Sequence, residues 1–191
     1  MKLKKDEKAF VKIKLFEMIL AIIFVIFGVL LFIGSVINED LVKIILGILV
    51  ILEAIVNIYS TIMPNSNSLY KSNLLFGILY LILAVFFFIN PIKLVNYIQI
   101  YYGIYLALSG LKLLIFAIKL KLIEDASFLI TLVMSILNIA LGGLLIFYQF
   151  QGFTIIEIVA IFSILTGIIN IGNANLLKNR VKKIMSKVDS E

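Results

Sequence analysis

The sequence contains no cysteine and no histidine. The first absence excludes disulfides, thiol nucleophiles and thiolate metal sites; the second excludes imidazole ligands and imidazole bases. Most familiar intramembrane enzyme chemistries fall with them. Charge is scarce as well: 15% of the 191 residues are Asp, Glu, Lys or Arg, where soluble domains average about 25%. Tryptophan is absent, and there are only two prolines. What fills the chain is hydrocarbon, with 63% hydrophobic residues and a mean hydropathy of +1.18, which excludes a water-soluble globule. Adjacent acids occur only at Asp6 and Glu7, Glu39 and Asp40, and Glu124 and Asp125, all outside the apolar runs, and no Gly-x-Ser-Gly stretch is present. The protein is therefore expected to be non-enzymatic, with no cofactor and no metal.

A membrane-spanning helix needs about 20 predominantly apolar residues. Six runs meet that requirement: 15–37, 41–62, 74–90, 94–119, 127–150 and 153–177. The joins are short, the longest passing through Pro64, Asn65, Ser66, Asn67 and Ser68, residues that favour turns, so no loop has room for a catalytic domain. Residues 1–14 form a basic N-terminal segment, 15–177 the bundle and 178–191 a basic C-terminal segment. The first segment is basic like the start of a signal peptide, but the apolar run behind it is too long and lacks a small-x-small cleavage site. The first helix is expected to stay as an anchor.

Cytoplasmic flanks of membrane helices carry the excess of Lys and Arg. Six spans put both termini on one side, and that side collects all of the 17 basic residues except Lys43 and Lys93. The reading is a multi-pass protein of the cytoplasmic membrane with both termini inside. The net charge of +6 then reports topology and attraction to anionic lipid headgroups. Tails this short make too few phosphate contacts for nucleic acid, so the expected partner is the lipid bilayer and not a polynucleotide.

A threefold repeat shows in the small residues. Ala21 and Gly28 recur as Gly77 and Ala84, and then, after nearly the same interval, as Ser135 and Gly142. Gly47 and Ala54 recur in step with them as Gly103 and Gly110, then as Ala160 and Gly167. Every predicted helix thus carries one small-x6-small pair, and the chain reads as an all-α membrane protein of three two-helix hairpins, 15–62, 74–119 and 127–177. An even number of spans per copy makes the copies parallel. In an antiparallel hairpin the residue numbers of equal-depth positions have a constant sum, and the small pairs obey this within all three hairpins. The spacing predicts six close approaches: Ala21 with Ala54, Gly28 with Gly47, Gly77 with Gly110, Ala84 with Gly103, Ser135 with Gly167, and Gly142 with Ala160. Small residues let backbones meet in lipid, where hydrophobic exclusion is unavailable. The alternative is that these faces serve contacts between hairpins, or between copies of the chain in a homo-oligomer.

The second copy reads Gly77-Ile-Leu-Tyr-Leu-Ile-Leu-Ala84, then Phe86-Phe-Phe-Ile-Asn-Pro91, then Gly103-Ile-Tyr-Leu-Ala-Leu-Ser-Gly110. It resembles the HdeD-like family of small membrane proteins, built from a short two-helix repeat of unknown function, whose name-giving member is linked to acid resistance. The first copy departs from the pattern with Gly34-Ser35 and the third with Tyr148-Gln149, where the second has Asn90-Pro91. The resemblance implies a stress-associated protein of the cytoplasmic membrane and carries over no catalytic residue.

Glu53 is the polar residue that most needs explaining. Twelve residues into a helix starting near Leu41, it lies about 18 Å down, near the middle of a hydrocarbon layer about 30 Å thick. Low-dielectric burial there favours a neutral, hydrogen-bonded acid. The repeat aligns Glu53 with Ser109 and Thr166, and Asn57, Asn138 and Asn170 lie within a few residues of the same depth, so a polar core is expected. Lys112 is near enough in depth to bridge to Glu53, but the simpler reading sends its ammonium to the inner interface. Glu17 and Glu157 read as interfacial carboxylates at helix starts, and Tyr97, Tyr101, Tyr102 and Tyr105 as an outer aromatic girdle and early packing contacts, with anchoring the main role. The expected function is structural or stress-associated, with a small transporter or proton-coupled channel using Glu53 as the alternative.

Overall fold

The computed structural model describes residues 2–33, 39–62, 72–89, 95–122, 127–148 and 154–188. Six helices account for almost all of them: α1 (Lys2–Ile33), α2 (Glu39–Ile62), α3 (Asn73–Ile89), α4 (Val95–Leu122), α5 (Phe128–Phe147) and α6 (Ile155–Val188). Five contain stretches long and apolar enough to cross a membrane. The span expected over 74–90 corresponds to the shorter α3, whose 17 residues measure about 26 Å at 1.5 Å per residue. The Asn65, Ser66 and Asn67 turn, Asn90-Pro91 and Lys93 lie outside the described residues.

Polarity runs outward from wet to greasy, the reverse of a soluble protein. Ile26, Leu30, Ile55, Leu75, Val133 and Ile168 are exposed, whereas Asn57, Ser109, Thr131, Ser135, Asn138, Ser163 and Thr166 are buried. That arrangement suits a chain whose solvent is hydrocarbon, because only internal partners can satisfy its polar groups. The centre is aromatic. Tyr102 and Tyr105 stack at 5.7 Å, Phe24 stacks on Tyr105 at 5.5 Å, and Tyr80 tilts against it at 5.6 Å. Tyr102 and Tyr105 are therefore packing contacts of the core and not anchors in a girdle; Tyr101 is half-buried against Phe86 and Phe87, and the Tyr97 side chain lies outside the described residues.

The helices close a ring in which strong and weak contacts alternate. The extensive interfaces join α1 to α6, α2 to α3 and α4 to α5, while the two helices of each predicted hairpin touch lightly. The small residues explain the alternation. A methyl group on Gly28 would sit 2.7 Å from the Ala160 carbonyl oxygen, and one on Gly167 would sit 2.7 Å from that of Ala21. Gly77 faces Ala54 and Ile58, Gly47 faces Phe87 and Phe88, Gly103 faces Gly142, and Gly110 faces Ser135. The Ser135 hydroxyl donates to the Gly110 carbonyl at 3.0 Å. These close approaches replace the six within-hairpin pairs expected above, so the seams weld each predicted hairpin to its neighbours instead of closing it on itself. The reason is geometric: Gly28 and Ala160 share a depth just as Gly28 and Gly47 do, and the aromatic centre decides which way each small face turns.

Glu157 does stand at a helix start. Its carboxylate accepts from the Thr154 backbone N–H at 2.8 Å, and its own N–H donates to the Thr154 hydroxyl at 3.3 Å, a reciprocal capping box.

Candidate functional site

The sequence of α4 repeats at alternating steps of four and three through Ile98, Tyr102, Tyr105, Ser109, Lys112 and Phe116, which puts all six on one helical face. All but Lys112, which keeps only a little exposure, are buried. On α1 the same rule aligns Lys14, Glu17, Ala21 and Phe24. Where these stripes meet α2, α3 and α6, a cavity of about 40 Å³ opens, room for about three waters. Glu53 and Asn57 line it from α2, Asn73 from α3, Ser109 and Lys112 from α4, and Asn170 and Asn173 from α6. It lies toward the end of the bundle where α1 starts and α6 finishes, and the cluster of Phe24, Tyr80 and Tyr105 stands at its depth limit beside Glu53.

Glu53 is buried, and each of its carboxylate oxygens accepts a hydrogen bond. The Lys112 ammonium donates to Oε1 at 2.8 Å, and the Tyr105 hydroxyl donates to Oε2. The Lys112 nitrogen also lies 5.7 Å over the face of Tyr80, a distance at which the ring quadrupole attracts a cation. Lys112 therefore turns inward to Glu53 and does not snorkel to the interface. Its ammonium needs an anion at this depth, and Glu53 supplies it.

A second pair lies nearer the mouth, where Lys14 bonds Glu17 at 2.6 Å and its nitrogen sits 5.1 Å over the Phe116 ring. Glu17 is thus not at a helix start. α1 begins at Lys2, so the helix has no free N–H groups there for a carboxylate to complement, and Glu17 faces the cavity.

The expected polar residues divide into two sets. Glu53, Lys112, Ser109, Asn57 and Asn170 share the cavity wall. Thr166 bonds its own helix, donating to the Phe162 carbonyl at 2.7 Å, and Asn138 is buried away from the cavity with neither amide atom partnered among the described residues. The repeat offsets explain the second case, since they align Asn138 with Tyr80 and Phe24 and so with the aromatic centre. Tyr105, Lys14, Glu17, Asn73 and Asn173 belong to the site beyond the expected set; the heptad stripes through Ser109 and Ala21 are the signal for the first three. Among the described residues no three His, Cys, Asp or Glu side chains gather where they could hold a metal.

A family model described as a short repeat of unknown function (DUF308) matches residues 19–89 and again 75–147. The second match is displaced from the first by the same interval that separates Ala21 from Gly77. No curated protein and no solved structure matches the chain.

Proposed function

The chain belongs to the family of short repeats of unknown function (DUF308), and from that premise we propose that it is a non-enzymatic integral membrane protein with a structural or stress-associated role. It is a multi-pass protein of the cytoplasmic membrane, with α3 as the sixth crossing, three parallel hairpins and both termini in the cytoplasm. The observation that carries this reading is the seam between α4 and α5. Gly103 and Gly142 bring the two backbones together there, joining different hairpins, so the bundle behaves as one interlocked body. The link to acid resistance rests on the HdeD-like resemblance. The basic tails bind anionic headgroups, and the exposed apolar faces are covered by lipid or by further copies of the chain.

Topology is tested with single cysteines, since the chain has none of its own. A Lys71→Cys variant is expected to resist an impermeant thiol reagent in intact cells and to react once the membrane is opened, whereas Lys93→Cys reacts in both. Labelling of Lys71→Cys in intact cells reverses the orientation.

A second reading, a small transporter or proton-coupled channel, is favoured by one observation: the cavity reaches the Glu53 carboxylate, and an ionisable group at membrane depth marks a pathway by default. Proteoliposomes carrying the wild type are expected to show no proton flux above that of empty liposomes. Flux that is present in the wild type and lost in Glu53→Gln replaces the first reading by the second.

A further inference from the structure

Asn57 is 2% exposed and lines the cavity. Its Nδ2 donates to the Glu53 carbonyl at 2.7 Å, but its Oδ1 has no donor among the described residues. A buried amide oxygen left without a donor is costly, so native proteins supply one. The nearby lysines are engaged elsewhere: Lys112 bonds Glu53 at 2.8 Å and Lys14 bonds Glu17 at 2.6 Å. These four charges on the wall cancel, which disfavours a guest of net charge in a place this poor in water.

We propose that the cavity binds a small zwitterion, an amine and an acid group on a short linker. Its ammonium donates to Asn57 Oδ1 and toward the Glu53 carboxylate, and its acid group accepts from one of the Lys112 N–H donors that the bond to Glu53 leaves over, since an ammonium carries three. Charges of both signs on one wall match both ends of such a guest, and the 40 Å³ of room admits only a few heavy atoms beyond the mouth. Either a free small molecule or a zwitterionic lipid headgroup has this chemistry. The inference rests on the cavity and requires no passage across the membrane, so it stands or falls separately from the flux experiment.

The test is calorimetric titration of the full chain in nanodiscs of phosphatidylglycerol alone, with glycine as the probe and methylammonium, acetate and urea as comparators. Saturable glycine binding is expected, at least tenfold weaker in Asn57→Leu and unchanged in Asn138→Leu, whose amide lies away from the cavity. Asn170→Ala, on the facing wall, is expected to weaken it as well and covers the case in which Asn57→Leu fails to fold. No saturable glycine binding to the wild type means that water alone fills the cavity and overturns the proposal. Binding of methylammonium, acetate or urea as tight as that of glycine also overturns it. In discs containing phosphatidylethanolamine, weaker apparent glycine binding identifies the headgroup as the source, and unchanged binding identifies a free molecule.

Discussion

Replacing Gly142 by alanine is expected to destabilise the protein, while the same change one residue on, at Gly143, is expected to stabilise it. Both glycines lie inside α5, so both carry the same entropic penalty relative to alanine, about 0.5–1 kcal/mol in a helix interior. Their surroundings differ. A methyl group on Gly142 would lie 2.7 Å from both the Ala107 backbone nitrogen and the Gly103 carbonyl oxygen, whereas one on Gly143 would meet nothing within 4 Å. The atoms around Gly142 are backbone and cannot swing aside, so α4 and α5 must separate, at an overpacking cost of about 1–3 kcal/mol. Gly143→Ala keeps the propensity gain of about 0.5–1 kcal/mol. Thermal or denaturant unfolding in detergent measures the difference, and Gly142→Leu is expected to prevent folding. Equal responses at the two positions would mean that the α4–α5 seam is loose enough to yield.

Glu53→Gln is expected to be almost as damaging as Glu53→Leu. A neutral, hydrogen-bonded acid would make the amide an easy substitute, but in the structure Glu53 is the counter-charge of Lys112 at 2.8 Å and accepts from Tyr105 as well. Either substitution strands an ammonium deep in the bundle, and breaking one half of a buried ion pair costs about 3–5 kcal/mol. The cavity lets some water reach Lys112, so the lower end, about 3 kcal/mol, is expected. Adding Lys112→Met to Glu53→Gln removes the stranded charge, and the double variant should be more stable than Glu53→Gln alone. A double-mutant cycle reads this directly. A Glu53→Gln protein as stable as wild type would restore the neutral acid and leave the ion pair without energetic weight.

Much of the site is legible in the sequence as depth but not as direction. Counting residues along helices puts Glu53, Ser109, Lys112, Asn57 and Asn170 near one level, and all five line one cavity. Asn138 and Thr166 share the level but face other neighbours, because position along a helix axis leaves the angle around it open. Tyr105, expected as girdle or packing contact, proves to be the latter for the same reason. Tyr105 stands well inside α4, and its four-residue spacing from Ser109 puts it on the helix face that meets Glu53. Glu17 departs because the start of its apolar run is not the start of its helix, which already begins at Lys2.

The sequence alone determined that the chain is helical and built for hydrocarbon, where its apolar runs lie, and that small residues recur in each helix at fixed depths, because run length and residue size need no neighbour to define them. Only the tertiary structure decided which helices those small residues join. Each helix in the ring has two antiparallel neighbours, and the regular offsets put its small pair level with theirs on both sides, so depth cannot choose between them. Side-chain bulk makes the choice: Phe24, Tyr80, Tyr102 and Tyr105 fill the centre, each helix turns to accommodate them, and the small faces come to rest against α6 for α1, α3 for α2 and α5 for α4. The same turn brings Lys112 to Glu53, a pairing that exists only once the helices around it have packed.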